Sequence, residues 1–166
     1  PNFVGNTSDG KMPGYGLAVL VVLLLSACSS GTQTTQELAT QQKITKAKAI
    51  MEAASGSNVT GEAVFTEEDG KIRFEISLNN ISPGVHIHEK ADCSAEGASS
   101  AGGHWNPTMK SHGKRGSGAH HKGDIDNIQV DNTGQVTFSV VVEGWTIGGP
   151  DNTNVVGKSV IVHEKA

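Results

Sequence analysis

The sequence predicts an all-β domain, an antiparallel sandwich or barrel, and three observations carry that reading. Short stretches of alternating apolar and polar residues recur from about residue 46 onward, and clusters of Asp, Asn, Ser and Gly separate them. The chain of 166 residues holds 21 glycines and only 4% aromatic residues, where a helical bundle would want more leucine and less glycine. That length suits one domain with extensions, not two full domains. Thirteen Lys and Arg against 17 Asp and Glu give a net charge of −4, and nothing supports the clustered basic surface that nucleic-acid binding needs.

Residues 1–27 read as a leader. Residues 17–25 form an unbroken apolar run. At about 1.5 Å per residue it is too short for a hydrocarbon core of about 30 Å, but it has the length of a signal-peptide core. The run ends in Leu25-Ser26-Ala27-Cys28, which resembles a bacterial lipobox, where small residues precede a cysteine that is lipidated and becomes N-terminal on cleavage. Met12 reads as the start, with residues 1–11 upstream or adventitious; Lys11 is the only positive charge ahead of the run. The expectation is an extracytoplasmic lipoprotein of the periplasm or cell envelope, held to a membrane through Cys28. Residues 28–45, rich in Ser, Thr and Gln, read as a tether, and residues 46–166 as the folded domain.

Within that domain a strand is expected over residues 46–53, before the turn cluster Ser55-Gly56-Ser57-Asn58. Residues 62–67 and 71–79 flank Glu68-Asp69-Gly70, a hairpin signal. Ile72, Phe74, Ile76 and Leu78 alternate with Arg73, Glu75 and Ser77, placing one face on a core and the other in water. Residues 125–130 and 135–142 are expected strands around the turn Asp131-Asn132-Thr133-Gly134, and residues 159–163 form a last apolar strand. Between residues 89 and 127 there is no strand periodicity, and residues 97–123 contain seven glycines. Such a loop needs something other than a core to order it, and metal ligation is the obvious candidate.

The seven histidines fall at positions 86, 88, 104, 112, 120, 121 and 163. His86 and His88 are two apart on an expected strand, so both rings leave the same face and can meet one ion. His104, His112, His121 and Asp124 come from the glycine-rich loop, and three imidazoles with a carboxylate suit a closed tetrahedral zinc site. His163 lies on the last strand. His120 reads as solvated, Trp105 and Trp145 as packing residues, and Lys110, Lys114, Arg115 and Lys122 as a wet basic loop face.

Together these residues resemble the copper–zinc superoxide dismutase family, in His86-Ile87-His88, in Gly102-Gly103-His104-Trp105-Asn106-Pro107, in His112 with His121-Lys122-Gly123-Asp124, and in Val162-His163-Glu164-Lys165. The likeness covers residues 46–166. It implies an eight-stranded Greek-key β-barrel, with copper on His86, His88, His104 and His163, and zinc on His104, His112, His121 and Asp124. It implies superoxide as substrate, oxygen and hydrogen peroxide as products, copper cycling between Cu(II) and Cu(I), and His104 joining the metals and carrying a proton. Four imidazoles suit Cu(II) and a His3Asp set suits zinc. The rival reading is a non-catalytic copper- and zinc-binding lipoprotein; a zinc hydrolase is disfavoured because no Glu stands beside the ligands as a base.

Two departures accompany the resemblance. The sequence ends three residues after His163, where family members continue with a last strand, an Asp linking ligands of the two metals, an active-site Arg and the cysteine that pairs with the counterpart of Cys93. The expectation is a barrel without its last strand that keeps zinc but turns over weakly. Pro83-Gly84-Val85 also runs straight into His86, and an odd deletion in a strand reverses the face each side chain takes. The sequence carries no signal for oligomeric state, and a homodimer is left open.

Overall fold

The computed structural model describes the backbone of residues 3–9, and residues 43–54, 56–80, 84–116, 118–126, 128, 131 and 133–163. The apolar run at 17–25, Cys28 and most of the expected tether lie outside these, as does the start of the short turn before His86. Among the described residues no helix is long and apolar enough to cross a membrane.

The strands are β1 (Phe3–Asp9), β2 (Lys46–Met51), β3 (Thr60–Glu68), β4 (Lys71–Asn79), β5 (Gly84–His88), β6 (Gln135–Val142) and β7 (Ser159–His163). They form an antiparallel sheet in the order β5-β7-β1-β2-β3-β4-β6. Inward residues from both ends of that order share one core: Phe65, Phe74 and Ile76 meet Val85, Ile87, Val160 and Val162. The sheet therefore curls around a single interior, as the all-β reading expected.

The hairpin of β3 and β4 follows the sequence signal. Asp69 and Gly70 both take positive φ (49° and 76°), the pair of left-handed residues that a two-residue turn matched to strand twist requires. Register runs from Glu68 opposite Lys71 to Thr60 opposite Asn79, so Ile72, Phe74, Ile76 and Leu78 all turn inward and are buried. Next to β6, Asp131 Oδ1 accepts from the N–H groups of Thr133 (2.8 Å) and Gln135 (3.0 Å), and Gly134 closes the turn at φ 75°.

Two expectations change. Residues 125, 126 and 128, read as part of a strand, are not in one; pairing there ends in an isolated bridge between His86 and Asp124. Arg115 holds the Asp124 carbonyl and Ile125 and Ile128 plug the core, so this backbone is engaged by a loop and not by a sheet edge. Phe3–Asp9, assigned to the leader, is a strand between β2 and β7, with Thr7 opposite Ala49 and Gly5 opposite Val160.

β5 and β7 are buried on both faces because the long connection after β5 folds back over them. On one side Val85, Ile87, Val160 and Val162 enter the core. On the other, Ile161 packs under the 3-10 helix Glu96–Ala101, against Ala98, Ala101 and Cys93. His86 and His88 project toward this covering loop, both from one side of β5.

The loop is tied to β5 around Ile87. The Ile87 N–H donates to the Gly123 carbonyl (2.9 Å), the Ile87 carbonyl accepts from Trp105 N–H (2.8 Å), and Gly123 N–H donates to the Trp105 carbonyl (2.8 Å). Contact is so close that a Cβ on Gly123 would lie 2.2 Å from the Ile87 oxygen and 3.1 Å from Trp105 Cβ. Gly123→Ala is therefore expected to destabilise the metal-free chain by about 2–3 kcal/mol in urea denaturation. Gly103→Ala, where an added Cβ meets nothing within 4 Å, serves as control and is expected to stay within about 0.5 kcal/mol of the parent.

Candidate metal centre

Six histidines and one aspartate meet on the loop side of β5. Asp124 is nearly inaccessible (1%), and its Oδ1 faces three imidazole nitrogens: Nδ1 of His112 at 3.0 Å, of His104 at 3.2 Å and of His121 at 3.5 Å. Its other oxygen accepts from the backbone N–H of His121 (2.8 Å) and of Gly113 (3.2 Å), which aims the first oxygen inward. Burial alone would raise the Asp124 pKa. Those two N–H groups, with the His112 and His121 rings, outweigh it and hold the carboxyl below its ordinary value.

A second cluster lies beside the first. His88 Nε2 is 3.2 Å from His163 Nε2, while His88 Nδ1 is 2.9 Å from the Gly102 carbonyl oxygen. A carbonyl can only accept, so Nδ1 carries the proton and the lone pair of His88 sits on Nε2, inside the cluster. The His104 ring is 5.0 Å from His88 and 5.8 Å from His163 between centroids. His86 stacks on His104 at 4.0 Å and reaches 5.1 Å from His163 and 5.4 Å from His112.

Ligand atoms within 4.8 Å of one another fall into two groups, His86 with His104, His112 and Asp124, and His88 with His104 and His163. His104 belongs to both. The division differs from the one the resemblance implies: His86 falls with the loop ligands, and His121 stands just outside the tighter set while still facing Asp124. His120 joins neither group and has Nδ1 3.0 Å from the Gly118 carbonyl oxygen. Cys28 lies outside the described residues. Cys93 is half-buried, and burial raises its thiol pKa, opposed by a hydrogen bond with Ser159.

The donor set fits metal ions. Nδ1 of His86 and of His121 are buried and make no hydrogen bond among the described residues, an arrangement that costs free energy unless something binds those nitrogens. Three Nδ1 atoms around one carboxylate oxygen are the nitrogens and oxygen of a tetrahedral zinc set, and the second cluster is nitrogen-only. Desolvation keeps the rings neutral: it lowers His86 to about 3 and His163 to about 4, helped by neighbouring imidazoles, and also lowers His88 and His104. Neutral imidazole is the ligating form.

The structure also shows what sequence reading passed over. Lys110 and Lys114 are exposed as expected, but Arg115 and Lys122 are half-buried. Lys122 Nζ lies 5.7 Å over the Trp105 ring and donates to the Gly144 carbonyl (3.0 Å). Trp145, read as packing, is indeed buried against Phe65 and Phe74, and its Nε1 also donates to the Lys122 carbonyl (3.1 Å). A tryptophan directly after a strand and turn was the available signal, but nothing in it names the partner.

The profile of the copper/zinc superoxide dismutase family matches residues 59–166. The chain belongs to the copper/zinc superoxide dismutase family. A relative named copper–zinc superoxide dismutase, from Neurospora crassa, is 35% identical over 122 residues, covering 70% of this chain and 77% of the relative. Another of that name, from Paramecium bursaria Chlorella virus 1, is 29% identical over 152 residues, covering 89% and 77%. Among solved structures, the clock protein EA4 aligns with a TM-score of 0.63 and 30% identity over 74% of this chain and 76% of that one. Membership in the copper/zinc superoxide dismutase family makes the chain an enzyme and copper and zinc its metals, and the clusters supply donors for both.

The buried rings set a pH dependence for the metal-free chain. His86 and His163 titrate near 3 and 4 when folded, against 6.5 ordinarily, so between those values the unfolded chain binds more protons. Stability then rises with pH: the contribution is complete above about pH 7 and is lost as pH falls from 6.5 toward 3, with Asp124 acting in the same direction at the low end. Urea midpoints of the metal-free chain are expected to fall as pH drops from about 7 to 5; a flat profile contradicts the desolvation of these rings.

Proposed function

We propose that the chain disproportionates superoxide, two anions and two protons giving oxygen and hydrogen peroxide, at a copper–zinc centre whose halves share His104. The observation that carries this reading is that one imidazole belongs to both ligand clusters. Copper held by His86, His88, His104 and His163 would supply one-electron redox chemistry, and zinc held by His104, His112, His121 and Asp124 would supply a fixed positive charge that orders the loop.

The chain's own groups set the rest. The Gly102 carbonyl keeps the His88 lone pair on Nε2, and Asp124 takes up His104 Nδ1, so His104 Nε2 is the nitrogen on the His88 and His163 side. That atom is placed to hold a proton and hand it to a peroxide oxygen, which needs two protons to leave as hydrogen peroxide. His86 and His88 are buried and close the β5 side, whereas His104 and His163 are half-buried, and a small anion would approach from their side.

Loading the full chain with copper and zinc and measuring superoxide removal tests this. His163→Ala is expected to abolish turnover and lower copper content while zinc content stays at the parent level. Both metals bound at stoichiometry with no turnover would support a metal-binding lipoprotein instead.

We also propose lipid anchoring at Cys28, on the apolar run that ends in Leu25-Ser26-Ala27-Cys28. Cleavage before Cys28 would remove Phe3–Asp9, so an anchored chain and a barrel containing β1 are alternative products. Expression in a bacterium with a lipoprotein pathway is expected to give a membrane-associated N-terminal peptide starting at Cys28 and carrying acyl mass. Cys28→Ser is expected to shift the protein to the soluble fraction; an unmodified peptide retaining residues 3–9 contradicts anchoring.

A further inference from the structure

Arg115 is a half-buried cation that takes part in neither ligand cluster. It lies on the loop between His112 and His121, with its guanidinium 5.2 Å from the centroid of the Trp145 ring. Its Nη2 donates to two backbone carbonyls, of Asp124 at 2.7 Å and of Lys122 at 3.2 Å. Trp145 Nε1 donates to the same Lys122 carbonyl. Gly123, between them, is fixed through its N–H to Trp105 and through its carbonyl to Ile87. Every peptide of Lys122-Gly123-Asp124 is thereby held, and the flanking side chains, His121 and Asp124, belong to the zinc-side set.

The residue type matters. A planar guanidinium presents several N–H groups in fixed directions and stacks on an aromatic face, so one side chain serves two carbonyls and a ring; a lysine ammonium does not reproduce that geometry. Burial works against the Arg115 charge, and the carboxylates of Asp126 and Asp124 favour it. Arg115 Nε and Asp126 Oδ1 are both buried without a hydrogen bond among the described residues. A cation kept under those conditions, with Nη2 turned to the carbonyls of a ligand-bearing segment, is not a solvated loop charge.

We infer that Arg115 is a positioning residue for the zinc-side set: by clamping the carbonyls of Lys122 and Asp124 against Trp145, it holds the backbone from which His121 and Asp124 reach the ion. This rests on the assignment of zinc to His104, His112, His121 and Asp124. It separates the loop's ligands from the support that keeps them convergent.

The test uses the full chain and reads metal affinity and spectrum, not activity. Arg115→Met keeps a stem over Trp145 and removes every donor. Its zinc dissociation constant, from competition with a chromophoric chelator, is expected to rise about 10–100-fold. Copper affinity is expected to stay within about threefold of the parent. Cobalt(II) placed in the zinc site is expected to show an altered visible spectrum, a signature that a loss of global stability alone does not move. Arg115→Lys restores the charge but not the fork and is expected to recover only part of the affinity; if Arg115→Met fails to fold, Arg115→Lys and Trp145→Phe, which drops the indole donor but keeps the ring, decide the question. Parent-level zinc affinity and cobalt spectrum in these variants overturn the inference alone. Equal losses of zinc and copper affinity assign Arg115 to general stability and also overturn it. A parent chain that takes up no zinc fells the metal assignment, and the inference with it.

Discussion

The peptide unit of Ile87 is where this molecule becomes more than a barrel. Its side chain is in the core, its neighbours His86 and His88 face the other way, and its backbone N–H and carbonyl are taken by Gly123 and Trp105. Three distant stretches of chain are thereby held to one strand position: the one with His86 and His88, the one with His104, and the one with His121 and Asp124. Strand periodicity of two makes this possible, because a residue that packs inward has neighbours that both point outward on the same side. The core fixes Ile87, Ile87 fixes the loop backbone, and the loop backbone fixes the imidazoles.

That order of causes explains why the site tolerates its own electrostatics. Several imidazoles gathered with little water would repel one another if protonated, and burial already disfavours their charged forms. The cluster thus stays neutral and rich in lone pairs, with buried nitrogens on His86 and His121 that make no hydrogen bond among the described residues. Such an arrangement does not stabilise the polypeptide. It persists because the barrel and the backbone bonds around Ile87 hold it, and its cost is offset when cations bind, so binding energy becomes folding energy.

How much was legible beforehand follows the range of the interactions. The β3–β4 hairpin was readable to the residue for β4, because alternation over nine residues and an Asp-Gly turn are local signals. β6 and β7 were legible for the same reason. Within the expected strand 125–130, residues 125, 126 and 128 depart from the expectation because Ile125 and Ile128 look like strand residues and are buried like them, yet the backbone there follows a loop ordered from Asp124 and Arg115. The histidines that the structure gathers into the two clusters all stand out in the sequence by type, since the chain holds only seven. The partition between clusters was not legible, because ring orientation depends on carbonyls such as Gly102 and on carboxylate aim, neither of which leaves a trace in spacing. Arg115 was grouped with solvated lysines for a similar reason: its partners are backbone oxygens, which every residue has.

The same reasoning bears on how core and metal loop depend on each other. Phe65 and Phe74 pack at 5.0 Å, Trp145 meets both at about 6 Å, and Trp105 meets Trp145 at 6.1 Å. In a chain with only 4% aromatic residues, four of them form one continuous column from the β3–β4 hairpin to the residue next to His104. Close-packed interiors transmit displacement because they hold little free volume. Phe74 packs against Trp145, and Trp145 in turn holds the Lys122 carbonyl beside His121, so the hairpin core and the metal loop share this tryptophan. The same indole thus closes the core on one side and fixes a ligand-bearing backbone segment on the other.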